Sequence, residues 1–275
     1  MYKRQETGFS REGVEAISRA RIETGASRDA RLRAWELYES LPMPARTDEE
    51  WRRTDLRALK LDRVRPAAGV DDPGIAPLRA LEEAGVEDAA AQIALGPNAG
   101  VIVQRDASTI LTTLDPEVAA KGVIFTDLAT AYREHPQLVE RYFMTQAVRP
   151  SLGKFQALHA AFWQGGSFLY VPNGVTVEAP FRAFSLISQP EAAVFSHTLA
   201  VIEEGAQAFV ADAFRSPSQD VQSFASAVVE LIIGQDAKLR YVQVQDWGRD
   251  VWNFMTERAI PVSYTHLTLP TTPYV

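Results

Sequence analysis

The chain contains no cysteine among its 275 residues. That absence excludes disulfides, thiolate metal sites and a cysteine nucleophile. Nor is there an apolar run of the ~18 residues that a membrane-crossing helix needs. The opening stretch MYKRQETGFSREG has no apolar core of the kind a secretory signal requires, so a cytoplasmic protein with no membrane partner is expected. Histidine is scarce, with four copies. An excess of basic charge is missing too: 28 Lys and Arg stand against 35 Asp and Glu, a net charge of −7. A general nucleic-acid binder needs a basic surface, so that class is disfavoured.

What is present is an ordinary globular mixture, 46% apolar and 23% charged. The charges are unevenly spread. Residues 1–65 hold 15 basic and 12 acidic groups, a net of +3; the remainder holds 13 and 23, a net of −10. The first segment is charge-dense and helical in pattern, and the later one is apolar, β-branched and richer in glycine. The shift places a boundary in the Pro/Gly/Asp stretch Pro66–Pro77.

In the first segment Ser10 is placed to cap a helix carrying Val14 and Ile17, and Gly25 interrupts any longer run. A second helix is expected from about Arg28 to Ser40. Leu32, Trp35, Tyr38 and Leu41 would share its apolar face, flanked by Arg31, Arg33 and Glu36. Leu41-Pro42-Met43-Pro44 ends it. Thr47-Asp48-Glu49-Glu50 has the form of a capping box ahead of a short helix with Trp51. The basic run Arg52, Arg53 and Arg57 reads as a solvated face paired with Asp48, Glu49 and Asp55 rather than a phosphate site. Ile93–Thr113 reads as two or three strands around a Gly-Pro-Asn turn. Thr126 would cap a helical stretch reaching about Val148 and broken near His135-Pro136. A further helix, Leu152–Trp163, would stop at Gly165-Gly166.

Three later segments superimpose at one spacing. LYVPNGVTV begins at Leu169, AVIEEGAQA at Ala200 and LIIGQDAKL at Leu231, each 31 residues after the last. Gly174, Gly205 and Asp236 occupy one equivalent position, and Val175, Ala206 and Ala237 the next. A fixed period of short β-prone runs means a stacked β architecture, since each unit is too small to bury its own apolar face. A parallel β-helix fits this pattern, and so does an antiparallel sandwich with hairpin loops.

No catalytic constellation is evident. His159, beside Phe155, Phe162 and Trp163, reads as a packed helical histidine. His197, ahead of Thr198–Ile202, reads as a strand-surface residue, with no second ligand at metal spacing. His135 reads as a loop or helix-end residue. Glu203-Glu204 reads as turn charge, because adjacent strand residues face opposite ways. Gly153-Lys154 is no phosphate loop, because Phe155 stands where Ser or Thr is needed. Ser167, Ser185 and Ser196 sit in no nucleophile elbow.

Taken in order, several of these segments resemble the SufB/SufD scaffold family of iron–sulfur cluster assembly. The stretch from Ala157 to Ile187, ALHAAFWQGGSFLYVPNGVTVEAPFRAFSLI, is similar to that family's pattern LNxAFxxxGxxIxVPxGVxxExPI, with His159 where Asn is common. TLAVIEEGAQAFVADAF resembles the next strand pair. AKLRYVQVQDWG, with Gln243, Gln245 and Trp247, resembles the one after. Upstream, PARTDEEWRRTDLRAL from Pro44 to Leu59 resembles the family's N-terminal motif. The resemblance implies a mainly β fold with α: an N-terminal helical region, a right-handed parallel β-helix core and a C-terminal helical region. The expected division is a helical region at 1–65, a mixed α/β link at 66–165 and the β-helix at 166–260.

Residues 261–275 are expected to be a non-native tail in place of the C-terminal helical region, leaving the β-helix incomplete. VSYTHLTLPTT, Val262 to Thr272, resembles the translation of a sequencing-library adapter. His266 falls within it.

The resemblance further implies a non-enzymatic scaffold subunit that pairs with a SufB-like subunit and a SufC-type ABC ATPase. An iron–sulfur cluster is held transiently by the full complex. SufB-type chains carry cysteines for sulfur transfer and cluster holding, so the cysteine-free composition favours the SufD type. The family's cluster-site histidine would lie in the replaced region. No catalytic, cofactor-binding or metal residue is therefore assigned here. The alternative readings are a carbohydrate-active β-helix enzyme or the SufB-type paralogue of the same complex. Such enzymes are exported and carry clustered Asp with Arg or Lys, which this chain does not show.

Overall fold

The structure, a computed structural model, describes residues 8–21, 23, 25–69, 97–218 and 220–261. The tail from Val262 and most of the Pro66–Pro77 boundary lie outside the described residues. The strands are β1 Arg65–Pro66, β2 Gly100–Arg105, β3 Ser108–Leu114, β4 Ile124–Asp127, β5 Gly165–Val171, β6 Phe181–Leu186, β7 Ala192–Val194, β8 Ser196–Ile202, β9 Gln207–Arg215, β10 Ser223–Ile233, β11 Lys238–Asp246 and β12 Val251–Pro261. Helices cover Arg11–Ala20, Gly25–Ser40, Pro116–Ala119, Leu128–Glu134, Pro136–Tyr142 and Lys154–Phe162.

The 31-residue period is the register of a parallel β-helix of about three turns. Leu169 lies opposite Ala200 on one side, and Ala200 opposite Leu231 on the other, all in parallel ladders. One sheet stacks β5, β8, β10 and β12; the facing sheet stacks β2, β6, β9 and β11. Parallel pairing of the repeats rules out the antiparallel sandwich. Only β2–β3 and β4–β5 pair antiparallel among the described residues.

The turn positions explain the motif. Gly174, Gly205 and Asp236 all adopt positive φ, at 69°, 67° and 55°. Glycine enters that region without cost, and Asp tolerates it better than most residues. The amides of Gly174 and Gly205 donate to Glu204 O and Gln235 O of the next coil, both at 2.8 Å. Ala206 and Ala237 are buried directly after these turns, where a larger side chain would force the coils apart.

β8 and β10 are buried along their whole length. Their residues alternate between two apolar clusters. Val229, Leu231 and Ile233 turn into the space between the sheets with Leu169, Ala200 and Phe181. Leu199, Val201, Val228 and Ile232 turn outward against the helices, with Phe162, Trp35, Val14 and Ile17. A fully buried aromatic or branched side chain contributes roughly 1.5–3 kcal/mol, and Phe162, Phe168 and Phe224 are of that kind.

Several local expectations are corrected. Ser10 does cap the first helix, accepting from Gly13 N at 3.1 Å. The second helix begins at Gly25, and Arg31, expected on its flank, is its most deeply buried member. It binds Glu23 at 2.7 Å and donates to the carbonyls of Ala161 and Trp163, which the Lys154–Phe162 helix leaves without intrahelical partners. Arg31 thus joins two helices. The Thr47–Glu50 capping box does not form: Glu49–Trp51 is a single 3-10 turn, and the Asp48 carboxylate accepts from Ala45 N instead. Thr126 lies in β4, and Asp127 is the cap, accepting from Thr130 N. That helical stretch divides at His135 and ends at Tyr142, short of Val148.

Gly165-Gly166 opens β5 rather than stopping a helix. A Cβ on Gly166, at φ 150°, would fall 1.9 Å from His197 O. The glycine is there because β5 and β8 approach too closely for any side chain.

Candidate functional site

Apart from the Arg31–Glu23 pair and Asp106, the buried ionisable groups of the described residues gather in two places, one on each face of the first sheet. On the helix-facing side His159, His197 and Glu230 form a chain. All three have no exposed surface. His159 is held by the Lys154–Phe162 helix, His197 by β8 and Glu230 by β10. His197 Nε2 lies 3.0 Å from Glu230 Oε2, and His197 Nδ1 lies 3.2 Å from His159 Nε2. His159 Nδ1 ends the chain at Ser226 O, 2.9 Å away. Glu230 also accepts from Met144 N at 2.7 Å and Val148 N at 2.9 Å.

Proton counting follows from these contacts. The chain has an acceptor at each end, a carboxylate and a carbonyl, and three hydrogen bonds between. Each bond needs one proton. Ser226 O requires a proton on His159 Nδ1. With its one proton on Nδ1, His159 accepts at Nε2 from His197 Nδ1. This assignment comes from the network as a whole. Burial, and then the His197 charge, hold the His159 pKa well below its ordinary 6.5, which agrees with a neutral ring. Chemically the arrangement is closed: it joins three elements and exposes no atom to a reactant.

The second gathering lies in the lumen between the sheets. Ser167 Oγ donates to Thr198 Oγ1 at 3.3 Å, Thr198 Oγ1 to Asp212 Oδ2 at 2.7 Å, and Tyr241 Oη to the same oxygen at 2.9 Å. Asp212 Oδ1 is buried and has no partner among the described residues. Burial raises the Asp212 pKa to about 6, against the two hydrogen bonds that favour its ionised form. The Tyr241 hydroxyl is pushed well above 10 by burial and by Asp212. Burial also raises Glu257. Past Tyr241 the polar line continues along β11 and β12. Gln243 donates to Tyr241 Oη at 3.3 Å, Gln245 to Gln243 Oε1 at 2.7 Å, and Asn253 and Trp247 to Gln245 Oε1 at 2.8 and 3.3 Å.

Several sequence-derived assignments change. His159 is the packed helical histidine expected. His197 is not a strand-surface residue, because its side of β8 is roofed by Phe143 and the helices, with the Phe143 ring 4.5 Å from the imidazole. The two histidines and Glu230 meet in space although nothing in their local spacing joins them. A signal did exist: adding 31 to His197 gives Val228, and the same-face neighbour two residues on is Glu230, the one charge in SFASAVVELII.

His135 sits at the junction of two helices. Glu203 and Glu204 lie at a turn, with Glu203 Oε1 3.5 Å from Tyr142 Oη. Lys154 donates to the carbonyls of Tyr38 and Leu41, both at 2.7 Å, so its ammonium is committed to structure. Arg57 pairs with Asp55 on the surface at 2.6 Å, and Arg52 and Arg53 are exposed. Ser167, Ser185 and Ser196 are buried. Among the described residues no group of three or more His, Asp or Glu is placed to hold a metal ion. The atoms of the histidine chain lie at hydrogen-bonding distance from one another, which leaves no room for an ion between them.

Comparison with known proteins gives consistent matches. Residues 185–269 match the family model "SUF system FeS cluster assembly, SufBD core domain", and residues 106–183 match "SufBD protein N-terminal region". The core match runs on into the stretch that resembles adapter sequence. An iron–sulfur cluster assembly SufBD family protein of Staphylococcus haemolyticus is 32% identical over 263 residues, covering 93% of this chain and 54% of its own. The corresponding Staphylococcus aureus protein is 31% identical over 263 residues, covering 93% and 54%. The iron–sulfur cluster assembly protein SufB of Bacillus subtilis is 29% identical over 265 residues, covering 94% and 55%. The chain therefore spans about half the length of the curated relatives it matches.

Proposed function

We propose that this chain, which belongs to the SufBD family of iron–sulfur cluster assembly proteins, acts as a non-catalytic scaffold subunit of a SUF assembly complex. In that role it pairs with a SufB-like subunit and a SufC-type ABC ATPase in the cytoplasm. The cluster is the cargo of the whole complex, not a resident group of this chain. The described residues do not fit the cluster: there is no cysteine, and the helix-facing histidine chain is closed by its own hydrogen bonds. No described helix is long and apolar enough to cross a membrane.

The observation that carries the reading is a parallel stack in which buried His159, His197, Glu230 and Arg31 hold strands and helices together. Such a body presents surfaces and fixes distances, and chemistry comes from what docks on it. The SufD type is favoured within the family because 275 residues without cysteine offer no persulfide carrier. The SufB type has one observation in its favour, the similarity to the Bacillus subtilis protein named SufB.

Co-expression with a SufB-like protein and a SufC-type ATPase tests the proposal. The expected result is one co-eluting complex that assembles iron and sulfide only when the SufB-like chain keeps its cysteines. A chain that elutes alone in the presence of both, or that binds cluster without them, overturns it.

A further inference from the structure

A cleft of about 470 Å³ opens between the end of the Arg11–Ala20 helix and the pair Leu128–Glu134 and Pro136–Tyr142. It is separate from both buried networks, and binding in it is independent of the scaffold role. Its apolar walls are Ala20, Ala129, Tyr132 and Pro136, with Trp163 as floor. Four charged residues line it: Arg21, Glu23, Arg133 and Glu140.

Three of these are already committed or peripheral. Both Glu23 oxygens accept from Arg31. Arg133 pairs with Glu134 at 3.5 Å in solvent, and Glu140 is exposed. Arg21 differs. Its guanidinium lies 5.6 Å from the Trp163 ring centroid, on the same indole that Arg31 covers at 4.4 Å. Among the described residues no carboxylate lies within ion-pair distance of it, and no acceptor takes any of its protons. Burial first, and then the charge of Arg31, lower its pKa to about 10. A half-buried guanidinium has five donors in a planar fork, and that fork matches a carboxylate.

We propose that the cleft is a binding site for a monocarboxylate with an apolar body, its carboxylate on Arg21 and its body against Ala129, Tyr132 and Pro136. The size suits such a ligand. A dianion such as phosphate would gain the same fork but meet Glu140 at the cleft and Asp127 and Glu23 close to Arg21, so a single negative charge fits better. The carboxylate has two sources, a free organic acid or the end of a polypeptide chain.

Titration calorimetry with phenylacetate and phenylacetamide tests the site. Phenylacetate is expected to saturate and to bind about tenfold or more tighter than the neutral amide, the loss of one charge-assisted fork. Arg21→Gln is expected to remove that difference, and Arg21→Lys to keep part of it. Ala129→Trp, which leaves Arg21 in place but fills the wall, is expected to abolish binding of both. Thermal unfolding of each variant checks that it folds. N-acetyl-Ala-Phe as the free acid decides the source: tighter binding than phenylacetate assigns a chain terminus, and equal or weaker binding assigns a free acid. Absence of saturation by both acids, or phenylacetate binding unchanged in Arg21→Gln, overturns the proposal.

Discussion

Glu230 shows how much one buried side chain can hold. Its carboxylate accepts from two amides of the 144–148 turn and from His197, so three elements meet on two oxygen atoms. Removing it leaves two backbone donors and a histidine pair without their acceptor in a dry interior. Glu230→Ala is expected to cost about 3–5 kcal/mol, read as a lowered urea midpoint; a loss under ~1 kcal/mol would show that the histidine chain contributes little. Asp212 behaves in the opposite way. Its folded pKa is raised from 3.8 to about 6, so the fold favours the protonated acid. This contribution is complete below pH 3.8, declines as pH rises to about 6, and leaves the fold up to about 3 kcal/mol less stable above that. Asp212→Asn is expected to be more stable than the parent at about pH 7.5 and to lose the decline between about pH 4 and 6. His159 has the reverse sign. Its folded pKa is depressed, so stability is full above 6.5 and falls as acid protonates the unfolded chain first. Replacing His159 by Gln is expected to flatten the loss of stability below pH 6.5, measured by chemical unfolding at a series of pH values.

At the scale of the element, the turns decide whether coils stack. Gly174, Gly205 and Asp236 share one backbone conformation, and the first two donate to the coil above them. A β-branched residue is poorly tolerated there, so Gly205→Val is expected to cost about 1–2 kcal/mol or more. Asp236→Gly is expected to be neutral or stabilising by up to ~1 kcal/mol, since Asp236 already occupies the left-handed region. Urea midpoints of the two variants compare them directly, and equal losses would show that the turn conformation is not what matters. Helices depend on a different device. The Gly25–Ser40 helix packs on the Lys154–Phe162 helix, held by Trp35 against Phe162 and by the Arg31 clamp on Ala161 O and Trp163 O.

For the molecule as a whole, the stack makes protection unequal. β8 and β10 have parallel partners on both sides and are buried throughout, whereas β11 and β12 each have one partner among the described residues and half-exposed side chains. Backbone amides of β8 and β10 are expected to exchange with solvent slowest, and those of β11 fastest among the long strands. A uniform exchange profile across the four would contradict a coil-by-coil hierarchy. The most buried strands, β8 and β10, lie beneath the helices, and the more exposed β11 and β12 lie beyond them.

The sequence alone was sufficient for the 31-residue period, the turn residues, the cap at Ser10 and the family resemblance, because each of these is a local or periodic property of the chain. It also showed the lack of cysteine, which limits the chemistry without any coordinates. What it left open was parallel against antiparallel stacking, since both satisfy the same alternation; hydrogen-bond register between coils settled that. The burial of His197, the meeting of His159 with Glu230, the Arg31 clamp and the isolation of Asp212 Oδ1 appeared only in three dimensions. Each depends on which side of a strand or helix faces a partner 14 to 132 residues away, and that choice is made by the packing of helices and coils, not by any neighbour in sequence.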